Sequence, residues 1–125
     1  MASNDALTIA YPATDDQSAA RGLCAVMAAG AMSICAAANA IPFGAIRRGD
    51  TAGRRSDIAL PGSICPVRVD GAVNAGAELQ AAADGRYTPA SGNDVRVAAI
   101  ALESAAAAND LVDALICAGH ITSAA

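Results

Sequence analysis

Aromatic side chains are nearly missing from this sequence. Its 125 residues include no Trp, one Phe and two Tyr, so aromatics make up 2% of the chain. Sites for small ligands, carbohydrates and unpaired bases usually contain aromatic rings that pack or stack on what they bind. The residues therefore favour a structural or interaction protein, with a small β-barrel binding module for a ligand or receptor as the alternative.

Lysine is absent, and His120 is the single histidine. A phosphate-binding loop of the G-x-x-x-x-G-K-[ST] type needs its lysine, so it is excluded. His120 lies in a Gly-His-Ile-Thr-Ser segment near the end of the chain, where we expect exposure to solvent rather than service as a general base. Glu78, Glu103 and the scattered aspartates show no pairing typical of an acid–base dyad. We therefore expect no catalytic residue, no cofactor and no enzyme activity.

Cysteine occurs four times, without a C-x-x-C pair or a histidine cluster, so we expect no zinc site. Each thiol lies among apolar neighbours, which is typical of a buried, reduced cysteine that acts as a small hydrophobic residue. A disulfide stays possible on the sequence alone. The four are Cys24, Cys35, Cys65 and Cys117.

Large core-forming side chains are also scarce. Ile, Leu, Val and Phe together account for 24 of the 125 residues, about 19%, while Ala supplies much of the apolar content. The net charge of −4 is too small to indicate disorder, so we expect one folded domain with a thin core. Such a domain gains stability by burying surface against partner subunits.

The uncharged run 22–46 is long enough to span a bilayer, but it is mostly Ala and Gly and is interrupted by Ser33, Asn39 and Pro42. The segment before it carries Asp5, Asp15 and Asp16 against Arg21, unlike the basic start of a signal peptide. We therefore expect neither a membrane partner nor export.

Alternation of apolar residues predicts a short strand at the start of the chain. Leu7, Ile9 and Tyr11 alternate with smaller residues up to Pro12, and a polar loop follows at 13–18. We interpret residues 1–20 as an N-terminal arm that contacts a neighbouring subunit, ahead of one β domain at 21–125. An edge strand folded back on its own domain is an equal alternative.

The domain itself shows two similar halves, at about 23–60 and 72–117. In the second, Asp84-Gly85 predicts a hairpin turn, and Val95, Val97 and Ala99 alternate as in a half-buried strand. Residues 39–46 align with 93–100 at an offset of 54, and 56–60 plays the part of 112–116. A further strand is expected at 64–69. We therefore predict a mainly β fold, a small antiparallel barrel or sandwich with internal pseudo-duplication.

Helix is the competing prediction for two Ala-rich stretches, 24–38 and 103–115. In the second, Asn109-Asp110 interrupts the run, and the repeat places residues 104–108 opposite the evident loop 47–55. We therefore expect a loop followed by a strand there.

Half of the basic charge is concentrated in the loop 47–55, as Arg47, Arg48, Arg54 and Arg55. No aromatic residue interleaves these arginines, and the chain lacks a general positive field, so we expect no nucleic-acid partner. An acidic protein surface suits them better. The alternative is a solvated loop whose arginines pair weakly with Asp50 or Asp57.

Several motifs resemble a known family. They are the opening at 6–13, Asn-Ala-Gly-Ala-Glu-Leu at 74–79, Ala-Asp-Gly-Arg at 83–86, Val-Ala-Ala-Ile-Ala-Leu-Glu at 97–103 and Asn-Asp-Leu-Val at 109–112. Together they resemble the cement, or decoration, proteins of tailed-bacteriophage capsids.

The resemblance implies a non-enzymatic virion protein, made in the host cytoplasm, on the outer surface of an icosahedral head. There it would reinforce contacts between subunits of the major capsid protein, usually as a homotrimer. The family has no catalytic site to carry over, so the candidate contact residues come from the arm and the arginine loop. They are Leu7, Ile9, Tyr11, Arg47, Arg48, Arg54 and Arg55.

Overall fold

The computed structural model describes residues 8–28, 30–91 and 94–122, and every regular element in these ranges is a β-strand. None of these residues belongs to a helix long and apolar enough to cross a membrane. Leu7, one of the predicted contact residues, lies outside the described residues. The strands are β1 (Thr8–Pro12), β2 (Cys24–Ala28), β3 (Ala31–Ile34), β4 (Gly44–Arg48), β5 (Arg55–Ala59), β6 (Ile64–Arg68), β7 (Glu78–Ala81), β8 (Tyr87–Pro89), β9 (Val95–Ala101) and β10 (Leu111–Thr122).

The described strands form two five-stranded antiparallel sheets with the same internal order. The first runs β1-β5-β4-β2-β3 and the second β6-β10-β9-β7-β8, so each strand of the first half corresponds to the strand five places later. This confirms the predicted mainly β fold with internal duplication, packed like a sandwich. The hairpin predicted around Asp84-Gly85 is also present, as β7 and β8.

Turn positions repeat with the strands. Four residues of the first half adopt a positive φ, and each has a counterpart with positive φ that lies 54 to 56 positions later. These pairs are Gly22 and Gly76, Gly30 and Gly85, Asn39 and Asp94, and Gly53 and Asn109. A left-handed conformation is costly for most residues, so its recurrence at matched turns indicates one backbone path used twice.

The predicted offset of 54 is wrong by one residue within β4. Gly44 pairs with Ala25 as Ala99 pairs with Leu79, so the correct offset there is 55. A shift by one residue exchanges the two faces of a strand, so the predicted alignment of Ile41 with the buried Val95 assigned Ile41 to the wrong face. Ile41 lies before β4 and is 65% exposed. The run 41–45 contains too few large side chains for its sequence pattern to define the register.

The first strand of each half lies outside the predicted halves, which begin at about 23 and 72. β6 begins the second sheet rather than linking the halves, and β1 is its counterpart in the first sheet. β1 pairs with β5 from Thr8↔Ala59 to Pro12↔Arg55, as β6 pairs with β10 from Ile64↔Leu115 to Arg68↔Leu111. Residues 8–12 therefore form an edge strand of their own domain. Contact of this strand with another subunit stays a prediction.

Two apolar clusters hold the sheets. The smaller contains Ala25, Met32, Ile46 and Ile58 and lies within the first half, covered by Tyr11, Phe43 and their neighbours. The larger combines the second half with four small residues of the first, namely Cys24, Cys35, Ala45 and Ala59. The first sheet therefore completes its burial only against the second.

Candidate contact surface

The arginines predicted to form a contact lie where β4 ends and β5 begins, at one end of these two strands of the first sheet. Arg47 and Arg48 end β4, Arg55 begins β5, and Arg54 precedes it, so antiparallel pairing brings all four to the same end. A bulge between Ile46 and Arg48 interrupts the pairing there. All four arginines are exposed. We call these four residues the arginine edge.

The loop that joins β4 to β5 is held by the segment 13–17. The amide of Gln17 donates to the Asp50 carbonyl at 2.8 Å, and that of Gly53 donates to the Ala13 carbonyl at 2.9 Å. Gly49 packs so closely on Gln17 that a β-carbon at position 49 would overlap the Gln17 carbonyl. Gln17 is itself fully buried. The arginine edge is therefore presented by a fixed backbone, which lowers the entropy lost on binding.

Only part of the positive charge is engaged within the chain. Arg48 Nε lies 3.7 Å from Asp57 Oδ2, with 83% of the arginine side chain exposed, and Arg55 Nη1 donates to the Ala10 carbonyl at 3.1 Å. Exposed pairs of this kind contribute between about 0 and 1 kcal/mol. The guanidinium groups of Arg47 and Arg54 make no hydrogen bond or ion pair with the described part of the chain.

The corresponding positions of the second half form the same backbone path without arginine. Equivalent hydrogen bonds and strand pairs in the two halves align the arginine edge with four positions of the second half, none of which is arginine. There the positions are apolar or acidic, although the backbone path is the same. Arg47, Arg48, Arg54 and Arg55 correspond to Leu102, Glu103, Asp110 and Leu111.

The predicted arm residues adjoin the arginine edge. Ile9 lies opposite Ile58 and Tyr11 opposite Ser56, so both side chains lie on the face of the first sheet that carries the smaller apolar cluster. Tyr11 is half-buried and its ring meets Phe43 edge to face at 5.9 Å, whereas Ile9 is 37% exposed. The structure thus places the two predicted groups on the adjacent strands β1, β5 and β4, with Ile9 more exposed than Tyr11.

Two further exposed apolar residues were not predicted from the sequence. Ile41 is 65% exposed and Ile121 is 58% exposed. Ile121 pairs with Arg96, whose amide donates to Asn39 Oδ1 at 2.7 Å, so the turn before Ile41 lies beside the end of β10. No local pattern indicates this proximity, because Asn39 and Arg96 are 57 positions apart in the chain.

The single histidine lies near a carboxylate at the surface. His120 Nε2 lies 3.6 Å from Glu78 Oε2, and both side chains are about half exposed. No three His, Cys, Asp or Glu side chains among the described residues gather as ligands for a metal ion.

Comparison with solved structures shows a likeness of fold. No family model matches the sequence, and no curated protein matches it. Among solved structures, the head fiber gp8.5 N base of bacteriophage phi29 matches with a TM-score of 0.65 and 21% sequence identity. The match covers 93% of this chain and 98% of that one. The chain is therefore similar in fold, along nearly its whole length, to the base of a phage head fiber.

Proposed function

We propose that this chain is a structural protein of a tailed-bacteriophage head. It binds the outer surface of the icosahedral shell as a cement or decoration protein and stabilises contacts between major capsid subunits. The observation that carries the proposal is the likeness of fold, over 93% of the chain, to a base of a phage head fiber. The sequence motifs that resemble cement proteins point the same way. The role requires neither catalysis nor a cofactor.

The arginine edge is the part of the surface that we assign to the capsid. Its backbone is fixed by Gln17 and Ala13, its charge exceeds what the fold uses, and the corresponding loop of the second half does without it. Arginine forks pair well with carboxylates, so the epitope on the major capsid protein is acidic. Ile9, at the neighbouring strand, adds an apolar contact.

Self-association into a homotrimer supplies the burial that one chain lacks. The fully buried side chains include many Ala and Cys, and six large apolar residues are exposed in the described ranges, including Met27, Ile41 and Ile121. Native mass spectrometry of the purified protein should give the mass of three chains. The melting temperature should rise with protein concentration, because association stabilises the folded state by mass action.

Head binding is tested by adding the protein to bare heads and measuring occupancy and the temperature at which heads rupture. Decorated heads should withstand higher temperatures, since the protein binds the assembled shell and not its separated parts. A concentration-independent monomer, with bare and decorated heads failing together, would reject the proposal in favour of a small β-barrel binding module.

The arginine edge is tested with Arg47→Ser/Arg54→Ser, which removes the two arginines that have no partner within the described chain. Occupancy should fall at unchanged melting temperature, and added salt should weaken the parent in the same way, since exposed charges are screened over roughly 8 to 10 Å. The matched control is Ala106→Asp/Ala108→Asp, which changes net charge equally on the exposed counterpart loop. Equal losses in both variants would mean that only net charge matters.

A further inference from the structure

A buried group of thiols lies where the two halves meet. Cys24 begins β2, and Cys35 follows the last residue of β3. Cys24 and Cys35 are the next residues along the two strands beyond the pair Ala25↔Ile34, and the Cys35 amide donates to the Cys24 carbonyl at 2.9 Å. Hydrogen-bonded neighbours on antiparallel strands have Cα atoms about 5.5 Å apart, within the range that a disulfide spans.

Each thiol shifts the pKa of the other. A hydrogen bond from the Cys24 thiol lowers the pKa of Cys35 to about 6, and the same contact, followed by burial, raises the pKa of Cys24 well above its usual value. The backbone at Ala37 also stabilises the Cys35 thiolate, while the negative charge of Asp84 opposes it. The Tyr87 hydroxyl is buried nearby without a well-formed hydrogen bond to any described atom.

The other cysteines lack this arrangement. Burial raises the pKa of Cys65 to about 11, and burial also raises that of Cys117. Neither is opposed to another cysteine in the strand pairing described. The thiolate is the nucleophile in disulfide exchange, so Cys35 is the thiol best prepared to react.

We propose that Cys24 and Cys35 are a redox pair that closes into an intramolecular disulfide when the protein meets a small disulfide such as oxidised glutathione. The Cys35 thiolate attacks one glutathione sulfur, the glutathione disulfide bond breaks, and one glutathione thiolate leaves and takes up a proton. Cys24 then loses its proton and attacks the Cys35 sulfur, which releases the second glutathione. The two cysteines lose two electrons, which the oxidised glutathione gains.

Access to the pair requires local opening. Cys24 and Cys35 are at most 1% exposed, and the outer side of β3 is bonded to the segment 13–17, where the Thr14 amide donates to the Met32 carbonyl at 2.8 Å. Oxidation therefore requires this segment to separate from β3, a local opening that costs less free energy than global unfolding. The disulfide would tie β2 to β3 at the point where the Cys24 amide donates to the Gly85 carbonyl, and so would stabilise the junction between the halves.

Tryptic mapping separates this pairing from every other. With no Lys and no Arg between Arg21 and Arg47, both cysteines fall in one peptide, 22–47, whereas Cys65 and Cys117 fall in others. After treatment of the native protein with oxidised glutathione and blocking of free thiols, this peptide should be lighter by two hydrogen atoms than its reduced form and carry no blocking group. Cross-links to the Cys65 or Cys117 peptides, or two blocked thiols in 22–47, would overturn the proposal.

Stability provides the second readout. Closing the loop 24–35 should raise the melting temperature by roughly 10 °C, and a reductant should reverse the rise. Cys65→Ala is the matched buried-thiol control and should keep the shift, whereas Cys24→Ala and Cys35→Ala should lose it. If either of the latter fails to fold, the peptide map of the parent chain decides alone. An equal shift in Cys24→Ala would refute the pair.

Discussion

Replacing Gly49 by Ala tests whether the segment 13–17 fixes the arginine edge. Gly49 does not occupy a positive-φ conformation, so the added methyl group acts through space alone. That methyl would overlap the carbonyl oxygen of Gln17, which is backbone and cannot rotate away, and would lie 3.0 Å from Gln17 Cβ. The loop and the segment 13–17 must therefore separate.

The cost follows from what this separation breaks. The hydrogen bond from the Gln17 amide to the Asp50 carbonyl is lost, which costs about 1 kcal/mol. Displacing the buried Gln17 also strains its Nε2 contacts with Asp15 Oδ1 at 2.9 Å and the Met32 carbonyl at 3.2 Å. Buried polar groups left without partners cost about 1 to 3 kcal/mol, so we expect a total loss of roughly 2 to 4 kcal/mol.

Urea unfolding followed by circular dichroism measures this loss, and Gly71→Ala is the control. No atom lies within 4 Å of a β-carbon built at Gly71, and its φ is not positive, so that variant should stay within about 0.5 kcal/mol of the parent. Gly49→Ala should also bind heads less well, because the arginine edge moves. Equal midpoints for the two variants would refute the packing argument.

Three further predictions concern the interior. Ile58→Ala should lower the free energy of unfolding by about 2 to 5 kcal/mol, since the side chain is fully buried, whereas the exposed Ile121→Ala should change it by less than about 0.5; urea midpoints decide. Tyr87→Phe should leave stability unchanged or raise it by up to about 1.5 kcal/mol, because the hydroxyl removed has no well-formed hydrogen bond, and a clear loss in thermal melts would contradict this. With a reductant present, stability should rise from pH 6 to pH 9. The pKa of Cys35 is about 6 in the folded protein and 9.0 in the unfolded chain, so the unfolded chain binds more protons over this range. That contribution is lost as the pH falls through about 6, and Cys35→Ala should flatten the slope of urea midpoint against pH.

Much of the strand pattern was predictable, and the reasons are local. Asp84-Gly85 specifies a tight hairpin through backbone preference alone, and Val95 and Val97 are large enough to mark the buried face of β9. The loop before β10 was also placed correctly against the helical propensity of its alanines. Where side chains are small the pattern weakens, and the one-residue error within β4 arose there.

The pairing of distant segments was beyond local reasoning. β1 meets β5 across more than forty positions, so the sequence left arm and edge strand as equal alternatives. The proximity of Cys24 and Cys35 depends on the register of a hairpin composed mostly of Ala, Met and Ser, where alternation carries little information. The arginine edge was visible as a charge cluster, but its fixed backbone depends on Gln17, which the sequence shows only as part of a polar loop.

The shared core also has a consequence for the order of folding. Every strand pair of the first sheet forms within residues 8–59, so this half can assemble its sheet on the ribosome before β6 is made. Until then Ala45 and Ala59 lack the partners that bury them in the larger cluster. A nascent first half is thus a sheet with one uncovered face, prone to associate with other nascent chains. Release of the second half ends that exposure, and slowing translation between the halves should increase aggregation.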